Sequence, residues 1–206
     1  MPTDHLENLP PHDRRRFFSA GLGRLIGPLA DFVDKRLPIP LPIPLPISRT
    51  MLRPPGAMPE AEFLESCLRC GKCADACPAN AIVLSTSNQP ELKGTPYVDP
   101  ALQACVICEE LACMKVCPSG ALTLVDRLEI RMGLARVDHA TCVRSTGENC
   151  TVCVDKCPLG SLAIRVGADG RIEVIDPQQA LTGCTGCGVC EQYCPARPER
   201  AIRIVA

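Results

Sequence analysis

Sixteen of the 206 residues are cysteine, and they fall into four groups. Cys67, Cys70, Cys73 and Cys77 form the first (67–77), and Cys105, Cys108, Cys113 and Cys117 the second (105–117). Cys142, Cys150, Cys153 and Cys157 form the third (142–157), and Cys184, Cys187, Cys190 and Cys194 the fourth (184–194). Proline follows the last cysteine of every group: Pro78, Pro118, Pro158 and Pro195. Groups one and four read C-x2-C-x2-C-x3-C-P, the bacterial run that ligates a cubane 4Fe–4S cluster. Group two widens the middle gap to C-x4-C, and group three widens the first gap to C-x7-C. Three thiolates at two-residue intervals wrap one loop and reach three corners of a cube, which leaves the fourth iron to a more distant cysteine. The proline then turns the chain away, where φ is fixed and no N–H is needed. All sixteen are consumed as cluster ligands, with no separate metal site and no catalytic residue.

Two other uses of cysteine fit less well. A disulfide framework suits a small secreted domain in an oxidising compartment and does not call for four C-x3-C-P endings. Zinc normally takes two separated C-x2-C pairs rather than a triplet plus a distant partner. The composition points the same way: no Trp, 2 Tyr and 4 Phe, so the clusters must supply core that aromatic side chains do not. With 46% hydrophobic and 22% charged residues the chain is not a disordered polyelectrolyte. A formal net charge of −1 argues against nucleic-acid binding. No apolar run approaches the roughly 18 residues of a membrane-spanning helix.

The elements that must hold these cysteines repeat with them. Short strand-like runs lead groups two, three and four: Tyr97-Val98-Asp99, Ala135-Arg136-Val137-Asp138, and Ile172-Glu173-Val174-Ile175-Asp176. Apolar runs trail all four: Ala81-Ile82-Val83-Leu84, Ala121-Leu122-Thr123-Leu124, Leu162-Ala163-Ile164, and Ala201-Ile202-Arg203-Ile204-Val205. They are β-branched and bounded by Gly, Pro or Asp, as short half-buried strands are. A helical turn is predicted between the third and fourth cysteine of each group. Each unit is thus strand, cysteine loop, short helix, strand, and units must associate in pairs to bury a face. The first unit differs: residues 58–65 predict a helix with acidic residues in its first turn. His5, His12 and His139 are expected to be solvated, since no ligand is missing.

Residues 1–36 and 37–57 form two further segments. Residues 37–47 read LPIPLPIPLPI, and the regular loss of N–H donors excludes a central strand. An extended spacer of about 3.1 Å per residue is predicted, on the order of 34 Å for this run. It serves either as a semi-rigid tether or as an apolar strap lying on a partner. Before it, Arg14-Arg15-Arg16-Phe17-Phe18 resembles a twin-arginine export motif. Clusters are assembled in the cytoplasm, so such a protein crosses a membrane only when already folded, as this route allows. The alternative is an amphipathic helix over 17–35 with Leu22, Leu25, Ile26, Leu29 and Phe32 on one face, in a cytoplasmic, membrane-associated protein.

From about residue 62 onward the sequence resembles the NapG/MauM ferredoxin-type proteins of periplasmic nitrate reductase and methylamine utilisation systems. The likeness rests on Gly94-Thr95-Pro96-Tyr97-Val98-Asp99-Pro100, the two irregular cysteine spacings in groups two and three, and Ile130-Arg131-Met132-Gly133. The sequence departs from that family in having no Trp between Cys142 and Cys150 and in the LPIP segment. The resemblance implies an α+β fold of two bacterial ferredoxin-like 2×(4Fe–4S) modules over 58–206, with short strands and helices, after an N-terminal helix and a Pro-rich spacer. It implies four 4Fe–4S clusters that relay electrons between a quinol-linked or membrane donor and an oxidoreductase. The partners would be redox proteins, such as a membrane quinol-oxidising iron–sulfur protein, a reductase or a dehydrogenase, with peripheral membrane association open and no nucleic acid. The residues agree: there is no nucleotide-binding glycine fingerprint, no spare cysteine nucleophile and no His–carboxylate pair, so no enzyme is expected. The runner-up is a cytoplasmic iron–sulfur subunit of an oxidoreductase complex, and a zinc-binding interaction protein comes last.

Two further expectations concern the clusters themselves. A 2+ cubane with four thiolates adds about −2, so four bring the loaded chain to about −9. Arg69, Lys72, Lys115, Arg144 and Lys156, beside the ligands, are placed to offset that charge. In two-cluster ferredoxins the fourth cysteine of each run ligates the other cluster, so the groups must pair. Adjacent and nested pairing are both sterically open. The regular spacing shared by groups one and four, and the short 118–141 linker, predict nesting, as in the four-cluster subunits of molybdenum oxidoreductases that group two resembles. Cys77 would then join Cys184, Cys187 and Cys190; Cys194 would join Cys67, Cys70 and Cys73; and groups two and three would exchange Cys117 and Cys157.

One outcome follows from the N-terminal motif. Replacing Arg14 and Arg15 by Lys should strand the protein in the cytoplasm with its iron content unchanged. Cell fractionation with immunodetection checks this, and a wild type already in the cytoplasm would favour the amphipathic helix.

Overall fold

A computed structural model of the chain describes residues 51–206. The export motif and the LPIP run lie outside the described residues. Short elements follow one another: α1 (Glu60–Ser66), α2 (Lys72–Asp75), β1 (Ile82–Leu84), β2 (Pro96–Val98), α3 (Ala112–Lys115) and β3 (Leu134–Val137). Then come α4 (Val152–Asp155), a 3-10 turn (Gly160–Leu162), β4 (Ile164–Val166), β5 (Ile172–Val174), α5 (Val189–Tyr193) and β6 (Ile202–Val205). The single-turn helices α2 to α5 each contain the third cysteine of a group, as the repeat requires.

The strands form three antiparallel pairs. In the second half, β3 pairs with β6 with Val137 opposite Ile202, and β4 pairs with β5 with Ile164 opposite Val174. So the strand leading group three meets the strand trailing group four, and the inner two strands meet each other. The first half repeats this with one loss. β1 pairs with β2, Ile82 opposite Val98, but the outer pair shrinks to a single bridge between Ala57 and Leu122. The strand expected over 121–124 is therefore absent, because α1 replaces the strand it would have paired with.

Residues 52–57, expected to belong to the Pro-rich spacer, are packed into the fold instead. Leu52 bridges Val98, whose N–H donates to the Leu52 carbonyl at 2.8 Å, and the Thr123 N–H donates to the Gly56 carbonyl at 2.8 Å. Leu52, Arg53, Pro54 and Pro55 are buried. This segment takes over part of the covering role of the missing strand and sets α1 in place. The helix starts after Pro59 with Glu60 and Glu62 in its first turn, where the helix dipole favours anions, and buries Phe63 completely.

Arg53 is the pin. Its Nε and Nη2 donate to the two Glu60 carboxylate oxygens at 2.8 and 2.6 Å. Its Nη1 donates to Thr95 Oγ1 and to the Pro96 carbonyl, both at 2.9 Å. The guanidinium also lies 4.7 Å from the centre of the Phe63 ring. One buried cation thus joins the 52–55 segment, α1 and β2, and its forked geometry is one that lysine cannot copy.

Arg53→Ala should lower stability by about 2 kcal/mol through buried acceptors left unpaired, and Arg53→Lys should not restore it. Thermal unfolding followed by circular dichroism reads both. The Arg53 hydrogen bond holds the Glu60 carboxyl below its ordinary value, so this contribution is present at and above the usual carboxylate range. It is lost as pH falls through the lowered value, and Glu60→Gln should abolish the part of the acid destabilisation that lies in that window.

Candidate metal centres

The described cysteines are all free thiols, and they line four separate cavities. Site one is formed by Cys67, Cys70, Cys73 and Cys117, with about 340 Å³ of space. Site two is formed by Cys77, Cys105, Cys108 and Cys113, with about 380 Å³. Cys142, Cys150, Cys153 and Cys194 form site three, with about 350 Å³. Cys157, Cys184, Cys187 and Cys190 form site four, with about 340 Å³. Near-equal size and identical donor sets mark four copies of one kind of site. Apart from the sulfurs the walls are largely apolar, with Phe63 and Leu122 at site one and Ile164 and Ile204 at site four.

This arrangement corrects the expected nesting. Cys77 stands with Cys108 and not with Cys187, so groups one and two exchange their fourth cysteines, as do groups three and four. The physical reason lies in the strand pairs: β1–β2 and β4–β5 join adjacent units, and they carry each fourth cysteine to its neighbour. The similar spacing of groups one and four reflects no contact between them.

Backbone strain shapes the loops. The residue before the second cysteine is left-handed in three groups: Arg69 (φ 54), Ile107 (φ 47) and Gly186 (φ 73). A buried β-branched residue such as Ile107 adopts this conformation only when its surroundings impose it. The turn aims main-chain donors at sulfur: Ile107 N–H at Cys105 Sγ (3.5 Å) and Gly186 N–H at Cys184 Sγ (3.4 Å). After the fourth cysteines, Ala81 N–H donates to Cys77 Sγ at 3.3 Å and Leu122 N–H to Cys117 Sγ at 3.4 Å. Donors that face a bare thiol only weakly are well suited to a thiolate carrying cluster charge.

Burial pushes the Cys105 and Cys113 thiols up to about 12, and Cys73, Cys153 and Cys187 up to about 11. Cys190 rises further for the same reason. These thiols give up their protons only to a cation that replaces them, so loading is expected to release protons. Cys117 goes the other way. Partial burial raises it, but N–H groups of Leu122, Ser119 and Gly120 and the Ser119 hydroxyl outweigh that and hold it below the ordinary thiol value. The donor set, the apolar walls and the N–H···S contacts fit an iron–sulfur cluster in each site.

Profiles of 4Fe-4S domains match part of this set of sites. The profile of a 4Fe-4S dicluster domain matches residues 66–121, which is groups one and two together, and that of a 4Fe-4S binding domain matches residues 181–197. The chain is 39% identical over 163 residues to the methylamine utilization ferredoxin-type protein MauM of Methylobacillus flagellatus, covering 76% of this chain and 68% of that protein. It is 42% identical to MauM of Paracoccus denitrificans over 69% of this chain and 66% of that one. It is 39% identical to the ferredoxin-type protein NapG of Escherichia coli K12 over 71% and 67%. This chain belongs to the NapG/MauM family of ferredoxin-type proteins. It is an iron–sulfur electron-transfer protein.

Within this NapG/MauM-type chain the basic residues divide. Arg69 and Lys72 line site one, where they can offset cluster charge. Arg144 instead ties down the C-x7-C loop, through the carbonyls of Gly170 (2.6 Å) and Cys150 (3.2 Å) and through Asn149 Oδ1 (3.0 Å). His139, expected in solvent, is partly buried and bonded to Ser145 at 3.1 Å in the same loop. Lys115 pairs with Glu110 at 3.3 Å, and Lys156 lies 5.4 Å from the Tyr193 ring centre. His5 and His12 lie outside the described residues.

The pairing is checked by chemistry on the sulfurs. In the anaerobic protein, Cys77→Ala should make Cys105, Cys108 and Cys113 open to alkylation while Cys184, Cys187 and Cys190 stay protected. Peptide mass spectrometry reads it, and the reverse pattern would restore nesting.

Proposed function

We propose that this chain holds four 4Fe–4S clusters, one in each four-cysteine cavity, and relays electrons between redox proteins. The observation that carries this reading is the partition of sixteen free thiols into four like cavities of four, with none left over. Each bound cluster supplies a one-electron couple. The protein's part is to exclude water with its apolar walls, to fix the thiolates, and to set the charge and hydrogen bonding around them. Four thiolates at every site leave no position for a substrate, so the chain acts as a carrier or an electron-transfer subunit, without a reaction of its own.

Among the described residues no three His, Cys, Asp or Glu side chains converge closely enough to hold a single metal ion. The sulfurs ring a wider space, which favours a multi-iron group over zinc. The partners in this reading are a membrane quinol-oxidising iron–sulfur protein and a reductase or dehydrogenase. The place of action is the periplasm, reached in the folded state through Arg14 and Arg15; the support is the sequence motif and the cytoplasmic assembly of clusters. The same chain kept in the cytoplasm as a subunit of an oxidoreductase complex is the competing reading.

Anaerobically purified protein should contain about 16 iron and about 16 sulfide per chain, with a broad visible absorption that dithionite bleaches. Colourless protein with stoichiometric zinc would overturn the proposal. Half that iron content would limit it to one module.

A further inference from the structure

The two modules touch where a ligand of site two meets a ligand of site four. The Cys105 N–H donates to the Cys187 carbonyl at 3.0 Å, and Cys187 and Val189 belong to the hydrophobic core of the first module. Next to this bond, Gln192 on α5 reaches across. Its Oε1 accepts the Ala104 N–H at 3.0 Å, and its Nε2 donates to Gln103 Oε1 at 3.2 Å. On the other flank, the Met132 N–H donates to the Thr185 carbonyl at 2.8 Å.

Glycine makes the approach possible. A Cβ on Gly188 would fall 2.5 Å from the Pro100 side chain, and one on Gly186 would fall 2.4 Å from the Gly133 backbone. Both glycines are also left-handed, at φ 88 and 73. The chain therefore keeps these two positions bare so that two backbones can meet beside two ligand sulfurs.

Inside each module the coupling has a different basis. The α2 segment carries Cys73 of site one and leads into Cys77 of site two, and α3 carries Cys113 of site two and leads into Cys117 of site one. In the same way, α4 and α5 each link site three to site four, through Cys153 and Cys157 and through Cys190 and Cys194. Sites one and two are thus joined, and so are sites three and four, but the junction between modules lies between two and four.

We propose that electrons cross between the modules at the Cys105–Cys187 peptide hydrogen bond, so that the sites conduct in the order one, two, four, three, and that Gln192 holds this junction closed. The inference rests on the occupancy proposed above. The path is short and specified atom by atom: from Cys105 Sγ through Cβ and Cα to its N–H, across to the Cys187 carbonyl, and through Cα and Cβ to Cys187 Sγ. One electron leaves the group held by Cys77, Cys105, Cys108 and Cys113, which is oxidised. It arrives at the group held by Cys157, Cys184, Cys187 and Cys190, which is reduced. No bond breaks and no proton is required; the external donor and acceptor are redox proteins. Chain order would have sent the electron from site two to site three, and the fold does not.

The test is electron paramagnetic resonance of the fully reduced, full-length protein, with iron and sulfide measured on every sample. Wild type should show spin–spin interaction throughout the set. Cys108→Ser, which removes site two, should leave site one as an isolated, unsplit signal while sites three and four remain coupled. Cys150→Ser, which removes site three at the end of the order, should leave the other three interacting. A site-one signal still coupled in Cys108→Ser, or a set broken by Cys150→Ser, would overturn the order. Gln192→Ala keeps every ligand, and should weaken the coupling between sites two and four at full iron content. Gln192→Glu, which keeps the acceptor for the Ala104 N–H, should restore part of it. Unchanged coupling in Gln192→Ala would remove Gln192 from the junction. Wild type lacking iron would defeat the occupancy itself, a result distinct from all of these.

Discussion

Everything in this fold depends on one exchange: the fourth cysteine of each group completes the cavity of its neighbour. No unit of strand, loop, helix and strand can close its own site, so the smallest complete object is a pair. The strand pairs exist to make that exchange. β1 against β2, and β4 against β5, bring adjacent units together with their helical turns in contact, α2 with α3 and α4 with α5. Core and site are continuous, since every four-cysteine cavity contributes at least one buried cysteine to the two hydrophobic clusters. A chain with no Trp and 4 Phe can be built this way only because the sites themselves occupy its centre.

The first module shows what the exchange tolerates. It has lost an outer strand pair, yet sites one and two match the other two in size and donor set. The helix α1, pinned by Arg53, covers the gap, so a local substitution of helix for strand leaves the ligand geometry intact. The second module keeps both strand pairs but has an irregular first loop, where C-x7-C replaces C-x2-C. There Arg144 and His139 tie the longer loop together through side-chain hydrogen bonds to Gly170, Asn149, Cys150 and Ser145. In both modules the irregularity lies at the periphery and the four-sulfur cavities are unchanged.

Cysteine spacing alone picked out the sixteen side chains that the fold gathers in fours, because cysteines at fixed short intervals have few other uses. The helical turns, the first-unit helix and most strands were legible from β-branched runs and from the acidic residues before Phe63. The run at 121–124 was misread because its strand character depends on a partner that the sequence replaces with a helix. The pairing was misread for a related reason. Spacing within a group reports the shape of one loop, whereas pairing is decided by which strands are adjacent, a long-range property carried by β1 and β2 rather than by the cysteines. Linker length could not decide it. Arg53 and Gln192 left no local signal, since a lone Arg before two prolines and a Gln beside a tyrosine look like surface residues until the fold closes over them.

Crystals of the anaerobically purified protein, measured at the iron absorption edge, address the central claim most directly. Four anomalous peaks are expected. The first should be ringed by Cys67, Cys70, Cys73 and Cys117, and the second by Cys105, Cys108, Cys113 and Cys77. Of the two peaks in the second module, the one held by Cys157, Cys184, Cys187 and Cys190 should lie nearer to the second peak. Cys77 on the same peak as Cys187, or fewer than four peaks in fully loaded protein, would contradict it.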